Sequence, residues 1–490
     1  MNESKSSSGS VTAILKFSLA TWVNAIIYIL SVFLVNLLVD KAIFGMYDLM
    51  ITASTTLMSI VTLGFDHAYL RFYYQPPKGI DDNRQIATLG LIVSLSMLVI
   101  VTAIVFLLPT VIGNIFFEGQ SETVLLLSMC FTCLAMVVMR YFNIAYRMQN
   151  NILMFTLVSI LLQFFTRFFY IFGVFIVNSF TGVVVFNLIG LLFFVCLFFI
   201  FNRKTLVPNR IQVPKGAYLP LFSYSLGIMP SSVFLWGNQL VNKLFISAHL
   251  GEASLGLFSF AALISQALSI LQGGFANFWS AYMFTNYETE GEYIMDVHDL
   301  LMLGMMILMC LLVLISPIIF IIFSGFAESR NVFGLLLFAP LLMVVAETTV
   351  YGIEIAKKTL LNTIASLISV ITNIVTCILL IPVLHVAGAA FALVISTSAM
   401  FIFRTVMAQR FYRSIRSYMK TTASLLVMGG LSIVSFVFDD NYLIVATVAV
   451  VVLIYYSISY LRELKIIMRY LKRIFTGRKT EDSPTDLPVR

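Results

Sequence analysis

Two basic residues stand deep inside long apolar stretches of the sequence. Arg167 lies in "LLQFFTRFFYIFGVF", and Lys243 follows "WGNQLVN". A cation at the centre of an apolar medium costs about 3 kcal/mol even on the most tolerant scale, so it should face a cavity or a partner. A guanidinium also donates two parallel hydrogen bonds to a phosphate. We therefore predict that Arg167 and Lys243 bind an anionic ligand.

Amide side chains accompany these two cations. Asn24 lies in the first apolar stretch, and Asn238 and Gln239 lie in the seventh, close to Trp236. A few convergent polar groups beside an aromatic ring suit the hydroxyl groups of a sugar. The three amides are therefore predicted to bind substrate, and the alternative is that they join helices by hydrogen bonds within the membrane.

Three more charged residues need a role. Glu347, in "MVVAETTVYGIEIA", is predicted to be the deepest carboxylate, and it would either couple to an ion or balance the charge of Arg167 or Lys243. Asp66 and Arg71 cluster near the end of the second apolar stretch. We expect them either to take part in ion coupling or to form an ion pair where the membrane meets water.

The sequence contains no pattern typical of an enzyme. It has no phosphate-binding glycine loop of the P-loop type, no HExxH and no nucleophile elbow. The five cysteines lie in apolar stretches, and the four histidines are scattered along the chain, which does not fit a metal site. We predict no catalytic residue, no metal and no cofactor.

The elements that must position these residues are membrane-spanning helices. Of the 490 residues, 60% are hydrophobic and 11% are charged, whereas soluble domains carry about 25% charged residues. A span needs roughly 20 apolar residues, and the chain supplies about fourteen such stretches. The fold class is therefore predicted to be an all-α polytopic membrane protein.

Basic residues concentrate in alternate loops of this predicted topology. The connection after the sixth span holds Arg203, Lys204, Arg210 and Lys215, and the C-terminal tail is also basic. Because loops on the cytoplasmic side carry the excess of Lys and Arg, both termini are predicted to be cytoplasmic. The formal charge of +7 is then explained without a nucleic-acid partner.

The sequence contains an internal repeat. The segment Phe44–Tyr74 resembles Leu255–Phe284, with Gly45 matching Gly256 at an offset of about 210 residues. The segment Tyr141–Asn151 matches residues 351–362 at nearly the same offset. Six predicted spans separate the copies, so both copies have the same orientation in the membrane.

The repeat predicts two pseudo-symmetric six-helix bundles followed by two extra helices. Paired bundles of this kind commonly bind substrate between them and rock to give alternating access. The predicted divisions are residues 1–203 for the first bundle, 204–217 for a cytoplasmic linker, 218–415 for the second bundle, and 416–490 for two helices and a basic tail.

Three stretches carry a likeness to a known family: "LKFSLATWVNAIIYILSVFLVNLLVDKAIFGMYDLM", "LGFDHAYLRFYY" and "HVAGAAFALVIS". With them the chain resembles the O-antigen and capsule repeat-unit flippases of the multidrug/oligosaccharidyl-lipid/polysaccharide superfamily. The resemblance covers essentially the whole chain and implies a flippase of the bacterial cytoplasmic membrane. Such proteins move undecaprenyl-diphosphate-linked oligosaccharides to the outer leaflet by alternating access.

The resemblance also implies partners and leaves alternatives. The partners would be the lipid-linked oligosaccharide, membrane lipid, a polysaccharide polymerase and a chain-length regulator. The alternatives are a cation-coupled multidrug exporter, a lipid II flippase, and a non-transporting assembly protein of a polysaccharide-synthesis complex.

Overall fold

A computed structural model of the protein describes residues 26–110, 122–177, 179–208 and 215–461, together with the single residues 23, 113 and 116. These residues form helices joined by short turns, with no strand among them. The prediction of an all-α polytopic protein is confirmed.

Within the described residues, seven helices make up the N-terminal bundle. They pack around α2 and α5. In each of these two helices 67% of an 18-residue apolar stretch is buried, whereas the figure for the peripheral α6 is 17%. The helices are α1 (Ile26–Leu38), α2 (Lys41–Val61), α3 (Phe65–Phe72), α4 (Arg84–Leu107), α5 (Glu122–Met148), α6 (Ile152–Ile176) and α7 (Phe180–Asn202).

The C-terminal bundle packs around α11, and two further helices lie beside it. In Ser324–Ala346, the candidate span that contains α11, 78% of an 18-residue apolar stretch is buried. The bundle helices are α8 (Lys215–Gln266), α9 (Ser269–Asn286), α10 (Gly291–Ile322), α11 (Arg330–Ala346), α12 (Tyr351–Ile355), α13 (Leu360–Leu384) and α14 (Val386–Gln409), and the two extra helices are α15 (Tyr418–Val437) and α16 (Tyr442–Ser459).

Twelve helices in the described part of the chain are long and apolar enough to cross a membrane, whereas about fourteen spans were predicted. Two details account for the difference. The run Gly216–Asn286 counts once although its 71 residues turn at Gly251, where φ is 79°. The described part of the first stretch, Ile26–Leu38, is shorter than a full span.

The serine and threonine hydroxyls of α2 form hydrogen bonds within the helix itself. The Asp40 carboxylate accepts a hydrogen bond from the amide of Ala42 at 2.8 Å and caps the N-terminus. Along the helix, serine and threonine hydroxyls donate to carbonyls one turn earlier, as Thr56 does to Thr52 at 2.9 Å. Such bonds let polar residues enter a membrane span without unpaired groups.

The phenylalanines around Arg167 form the contact between α6 and α7. The rings of Phe165 and Phe194 stack with centroids 5.0 Å apart, as do those of Phe169 and Phe186. Gly190 gives room for Phe169, because a Cβ there would lie 2.1 Å from that ring. The aromatic run is therefore explained by packing, which leaves Arg167 as the residue without a packing role.

The two bundles meet closely at the end that carries Lys41, which we name the Lys41 end. A Cβ on Gly45 would lie 2.5 Å from the backbone nitrogen of Gly256, and a Cβ on Gly256 would lie 2.0 Å from the carbonyl oxygen of Lys41. The two glycines that the repeat aligns are thus in contact with each other. Lys41 also forms an ion pair with Glu328 at 3.1 Å.

The bundles also touch near the opposite end, which we name the Arg84 end. Gly64 has φ of 78° and begins α3, and a Cβ there would lie 2.4 Å from the carbonyl oxygen of Ser225 on α8. The rings of Phe65 and Phe222 meet edge to face with centroids 4.8 Å apart. The backbone at Gly64 therefore needs glycine both for its left-handed conformation and for this close approach.

A buried histidine fastens the extra helix α15 to the C-terminal bundle. His298 on α10 is fully buried, with Nδ1 2.8 Å from the Thr348 hydroxyl and Nε2 3.1 Å from the Thr421 hydroxyl. Thr348 donates its own hydrogen to the Val345 carbonyl at 2.8 Å. His298 must therefore donate from Nδ1 and accept at Nε2, because a hydroxyl has only one hydrogen to give.

Replacing His298 with alanine is expected to lower the free energy of unfolding by about 1–3 kcal/mol, because two buried hydroxyls lose their partner. Thermal unfolding of the purified protein in detergent measures this loss. The control is His249→Ala, since the His249 side chain is exposed and hydrogen-bonds only to the Phe245 carbonyl. Equal destabilisation by the two changes would contradict the assignment.

Candidate functional site

Arg167 lies at an irregularity in α6. Residues Phe164–Phe168 form a single π-helical turn, in which the amide of Phe169 bonds to the carbonyl of Phe164. The Arg167 guanidinium lies 5.1 Å from the centroid of the Tyr28 ring on α1. In the described part of the chain it has no carboxylate within ion-pair distance and no hydrogen-bond acceptor. Single π turns are frequent at functional sites.

Lys243 forms an ion pair with a residue of the other bundle. The sequence had instead predicted that Lys243 is available to a ligand or is neutralised by Glu347. The Lys243 Nζ lies 2.6 Å from the Asp48 carboxylate and 2.5 Å from the Thr52 hydroxyl, both on α2. The Lys243 residue is only 4% exposed. The nearest carboxylate is supplied by the other bundle because α2 and α8 pack side by side.

Arg167 and the Asp48–Lys243 pair belong to one site, which we name the seam. Arg167 and Asp48 line the same small cavity, and Arg167 is close enough to act electrostatically on both members of the pair. The rings of Tyr47 and Tyr170 stack beside it at 3.8 Å. The cavity volume is about 10 Å³, which is space for roughly one water molecule. The seam is therefore closed in this structure.

Asn238 and Gln239 lie in a different place, inside the C-terminal bundle. They line a cavity of about 240 Å³ bounded by α8, α9, α11 and α14. Gln239 accepts a hydrogen bond from Gln266 at 3.2 Å, and the backbone carbonyl of Asn238 accepts one from Asn373 at 2.9 Å. We name this space the bundle cavity.

The contacts of Glu347 include neither Arg167 nor Lys243. Its carboxylate accepts a hydrogen bond from Gln272 at 2.9 Å, and it interacts electrostatically with Arg404 on α14. Glu354 on α12 belongs to the same group. Burial raises the pKa of the Glu354 carboxyl, and Arg404 partly opposes that shift. If Glu347 balances a charge, that charge is Arg404.

Asp66 and Arg71 do not pair with each other. Asp66 accepts from Arg140 on α5, with distances of 3.0 and 3.1 Å to the two guanidinium nitrogens. Arg71 is exposed and donates to Gln75 at 3.4 Å. Asp66 therefore forms its ion pair with Arg140 and not with Arg71, because Asp66, at the start of α3, points toward α5.

The structure thus brings Arg167 and Lys243 together at the seam and Asn238 and Gln239 together in the bundle cavity. Asn24 lies outside the described residues. Sequence reasoning missed Asp48, although "FGMYDLM" places a carboxylate seven residues into α2. A charge that deep in an apolar helix was the available signal.

Comparison with known proteins identifies the family. The family model described as "Polysaccharide biosynthesis protein" matches residues 11–284. The chain belongs to this family. A search of curated proteins finds no match.

Solved structures show which fold this polysaccharide biosynthesis protein shares. One is "Lipid II flippase MurJ, inward closed conformation", with a TM-score of 0.69 and 14% identity, covering 91% of this chain and 99% of that one. A second is an inward-facing multidrug resistance MATE family transporter of the MOP superfamily, with a TM-score of 0.52, 14% identity, and coverage of 84% and 98%. At such identities the likeness shows the fold, which is that of a multi-pass membrane protein.

Proposed function

We propose that this family member flips an undecaprenyl-diphosphate-linked oligosaccharide across the bacterial cytoplasmic membrane. One observation carries the proposal: among the residues that the structure describes, the Arg167 guanidinium has no counter-ion within ion-pair distance, and it stands beside the buried Asp48–Lys243 pair. A charge in the middle of a membrane-spanning helix is costly without a partner, so this arrangement favours a role in which a ligand supplies the opposite charge.

The charge at the seam favours a phosphate group. Two cations face one carboxylate, which leaves a net positive charge among Arg167, Lys243 and Asp48. In surroundings of low dielectric constant this excess attracts an anion strongly, and the fork of Arg167 fits phosphate oxygens. Separation of the bundles would open the seam, and the lipid tail would remain in the bilayer while the head group crosses.

The sidedness follows from the basic loops. Lys and Arg residues are abundant at the Arg84 end, which we therefore place in the cytoplasm with both termini. The Lys41 end then faces outward, and the closed seam blocks exit there. We also retain the divisions 1–203, 204–217, 218–415 and 416–490, with a polysaccharide polymerase and a chain-length regulator as possible partners in the membrane.

The proposed role of the seam is tested by replacing Arg167 with glutamine in a strain whose only copy of the gene encodes this variant. Export of lipid-linked repeat units is expected to fall at least about tenfold, since a charge-assisted bond of this kind contributes about 1.5–3 kcal/mol. Thin-layer analysis of inner-leaflet intermediates measures their accumulation. Arg167→Lys should retain part of the activity, because it keeps the charge but loses the fork.

The matched control is Arg330→Gln. Arg330 forms an ion pair with Asp439 at 3.0 Å, away from the seam. Its replacement therefore removes the same guanidinium group from another part of the protein. Normal export by Arg167→Gln, or a decrease that only follows a lower protein level, would refute the transport role of Arg167 and favour a structural or assembly role.

A second candidate is the flipping of lipid II, which the similarity to the MurJ structure favours. The two candidates differ in what a deletion strain accumulates on its inner leaflet. Oligosaccharide repeat units support the first candidate, and the cell-wall precursor supports the second. Drug sensitivity without either intermediate would instead favour a multidrug exporter.

A further inference from the structure

The bundle cavity is separate from the seam and differs from it in chemistry. Its volume of about 240 Å³ far exceeds the roughly 10–15 Å³ that a single water needs. Its polar lining consists of amides and hydroxyls, with no charged side chain among the residues that bound it. The aromatic member of the lining is Trp236, whose side chain is 40% exposed.

The hydrogen bonds around the cavity fix which amide atoms are available to a ligand. A carboxylate only accepts, so Gln272 must turn its Nε2 toward Glu347, which leaves its Oε1 without that partner. Gln266 likewise donates from Nε2 to Gln239, and its own oxygen remains available. Glu347 is therefore a positioning residue for Gln272.

Asn238 adds a third acceptor. The residue is 9% exposed, and its side-chain Oδ1 has no hydrogen-bond partner in the described part of the chain. An unpaired buried carbonyl oxygen is destabilising unless a ligand or water satisfies it. The bundle cavity is therefore lined by three amides whose side-chain oxygens accept no hydrogen bond in the described part of the chain: Asn238, Gln266 and Gln272.

We infer that the bundle cavity binds an uncharged sugar unit, whose hydroxyl or N-acetyl N–H groups donate to these three oxygens while the ring packs on Trp236. An acidic sugar is disfavoured, because its carboxylate would face acceptors and find no cation in the lining. A bare cation is disfavoured because the cavity is wide and has no carboxylate in its lining.

This inference rests on the proposed function and extends it from the diphosphate to the sugar. Gln239 lies one helical turn from Lys243 on the same face of α8, which is a rise of about 6 Å. A sugar that contacts Gln239 would thus lie about one helical turn from Lys243, one of the two cations of the seam. The two sites together would hold adjacent parts of one lipid-linked substrate.

The test is a fluorescence titration of the purified full chain in detergent. The probes are the methyl glycosides of glucose and N-acetylglucosamine, with glucuronic acid as the charged comparison. We expect a saturable change in tryptophan fluorescence with at least one neutral probe and none with glucuronic acid. The change should disappear in Trp236→Phe, because Trp236 lines the cavity and Trp279, the other tryptophan in the described part of the chain, does not.

Gln266→Leu should weaken binding of the neutral probe about tenfold, the effect of losing one good hydrogen bond. Gln149→Leu is the matched control, since Gln149 is exposed in the other bundle. If Gln266→Leu does not fold, Thr397→Val, which also changes the lining, takes its place. No saturable signal, an equal signal with glucuronic acid, or no effect of either lining variant would overturn the inference.

The two proposals fail separately. Sugar binding by the purified protein does not require the Arg167 charge, and export by the Arg167 variants does not report on the bundle cavity. Normal export by Arg167→Gln together with sugar binding by the purified protein would refute only the proposed role of the seam. Loss of export by Arg167→Gln together with no sugar binding by the purified protein would refute only the proposed role of the bundle cavity.

Discussion

Replacing Asp48 with asparagine is expected to destabilise the protein by about 3–5 kcal/mol, because it leaves the Lys243 ammonium buried without its counter-charge. The lysine cannot reach water easily, since it is only 4% exposed. Thermal unfolding of the purified variant, together with its level in the membrane, measures the effect. Asp82→Asn is the control, because Asp82 forms its ion pair with Arg84 at the protein surface.

The double variant Asp48→Asn with Lys243→Met separates stability from function. Removing both charges should recover most of the lost stability, since a buried pair and an apolar replacement are often of similar stability. Export should remain impaired, because the Lys243 ammonium can no longer donate to the anion, although Arg167 keeps the net charge of the seam positive. If the double variant unfolds as readily as Asp48→Asn alone, the pair is not the source of the destabilisation.

Replacing Gly256 with alanine is expected to prevent closure of the Lys41 end. The new methyl group would lie 2.0 Å from the Lys41 carbonyl oxygen, which is backbone and cannot rotate away. Overpacking of this kind costs about 1–3 kcal/mol, which shifts the balance between closed and open forms by about 5- to 150-fold. Export should fall because one of the two required conformations becomes rare.

A reversible cross-link reports on this closure. Lys41 and Glu328 form an ion pair at 3.1 Å in the closed form, so cysteines at both places should be joined by a short bifunctional thiol reagent that reductant removes. Gly256→Ala should lower the yield of the cross-link. Gly304→Ala is the control, because a Cβ at Gly304 meets no described atom within 4 Å. An unchanged yield in Gly256→Ala would show that the closed form tolerates the methyl group.

The helices were predictable because each is a long apolar stretch, and the membrane requires every backbone group to bond within its own segment. The repeat also predicted that Gly45 and Gly256 occupy equivalent positions. It did not predict that the two residues touch, because a contact between bundles depends on how two separate parts of the chain pack.

The candidate site was predictable only in part, for the same physical reason. Arg167 was predicted as a site residue because the free-energy cost of a charge in an apolar segment can be inferred from its neighbours in the sequence. The partner of Lys243 is Asp48, which is 195 residues away, and no local pattern connects them. The π turn at Phe164–Phe168 depends on packing against other helices, and the orientation of Gln272 depends on Glu347 across the bundle.

The sequence repeat predicts an approximate twofold axis between the two bundles, and the contact of Gly45 with Gly256 lies where that axis would pass. A residue on such an axis faces its own counterpart, as at the centre of a symmetric dimer. Neither position can accept a larger side chain unless the opposite half also gives way, so mutations at the two sites are coupled. The two halves, although joined in one chain, have kept a constraint that belongs to a pair of identical subunits.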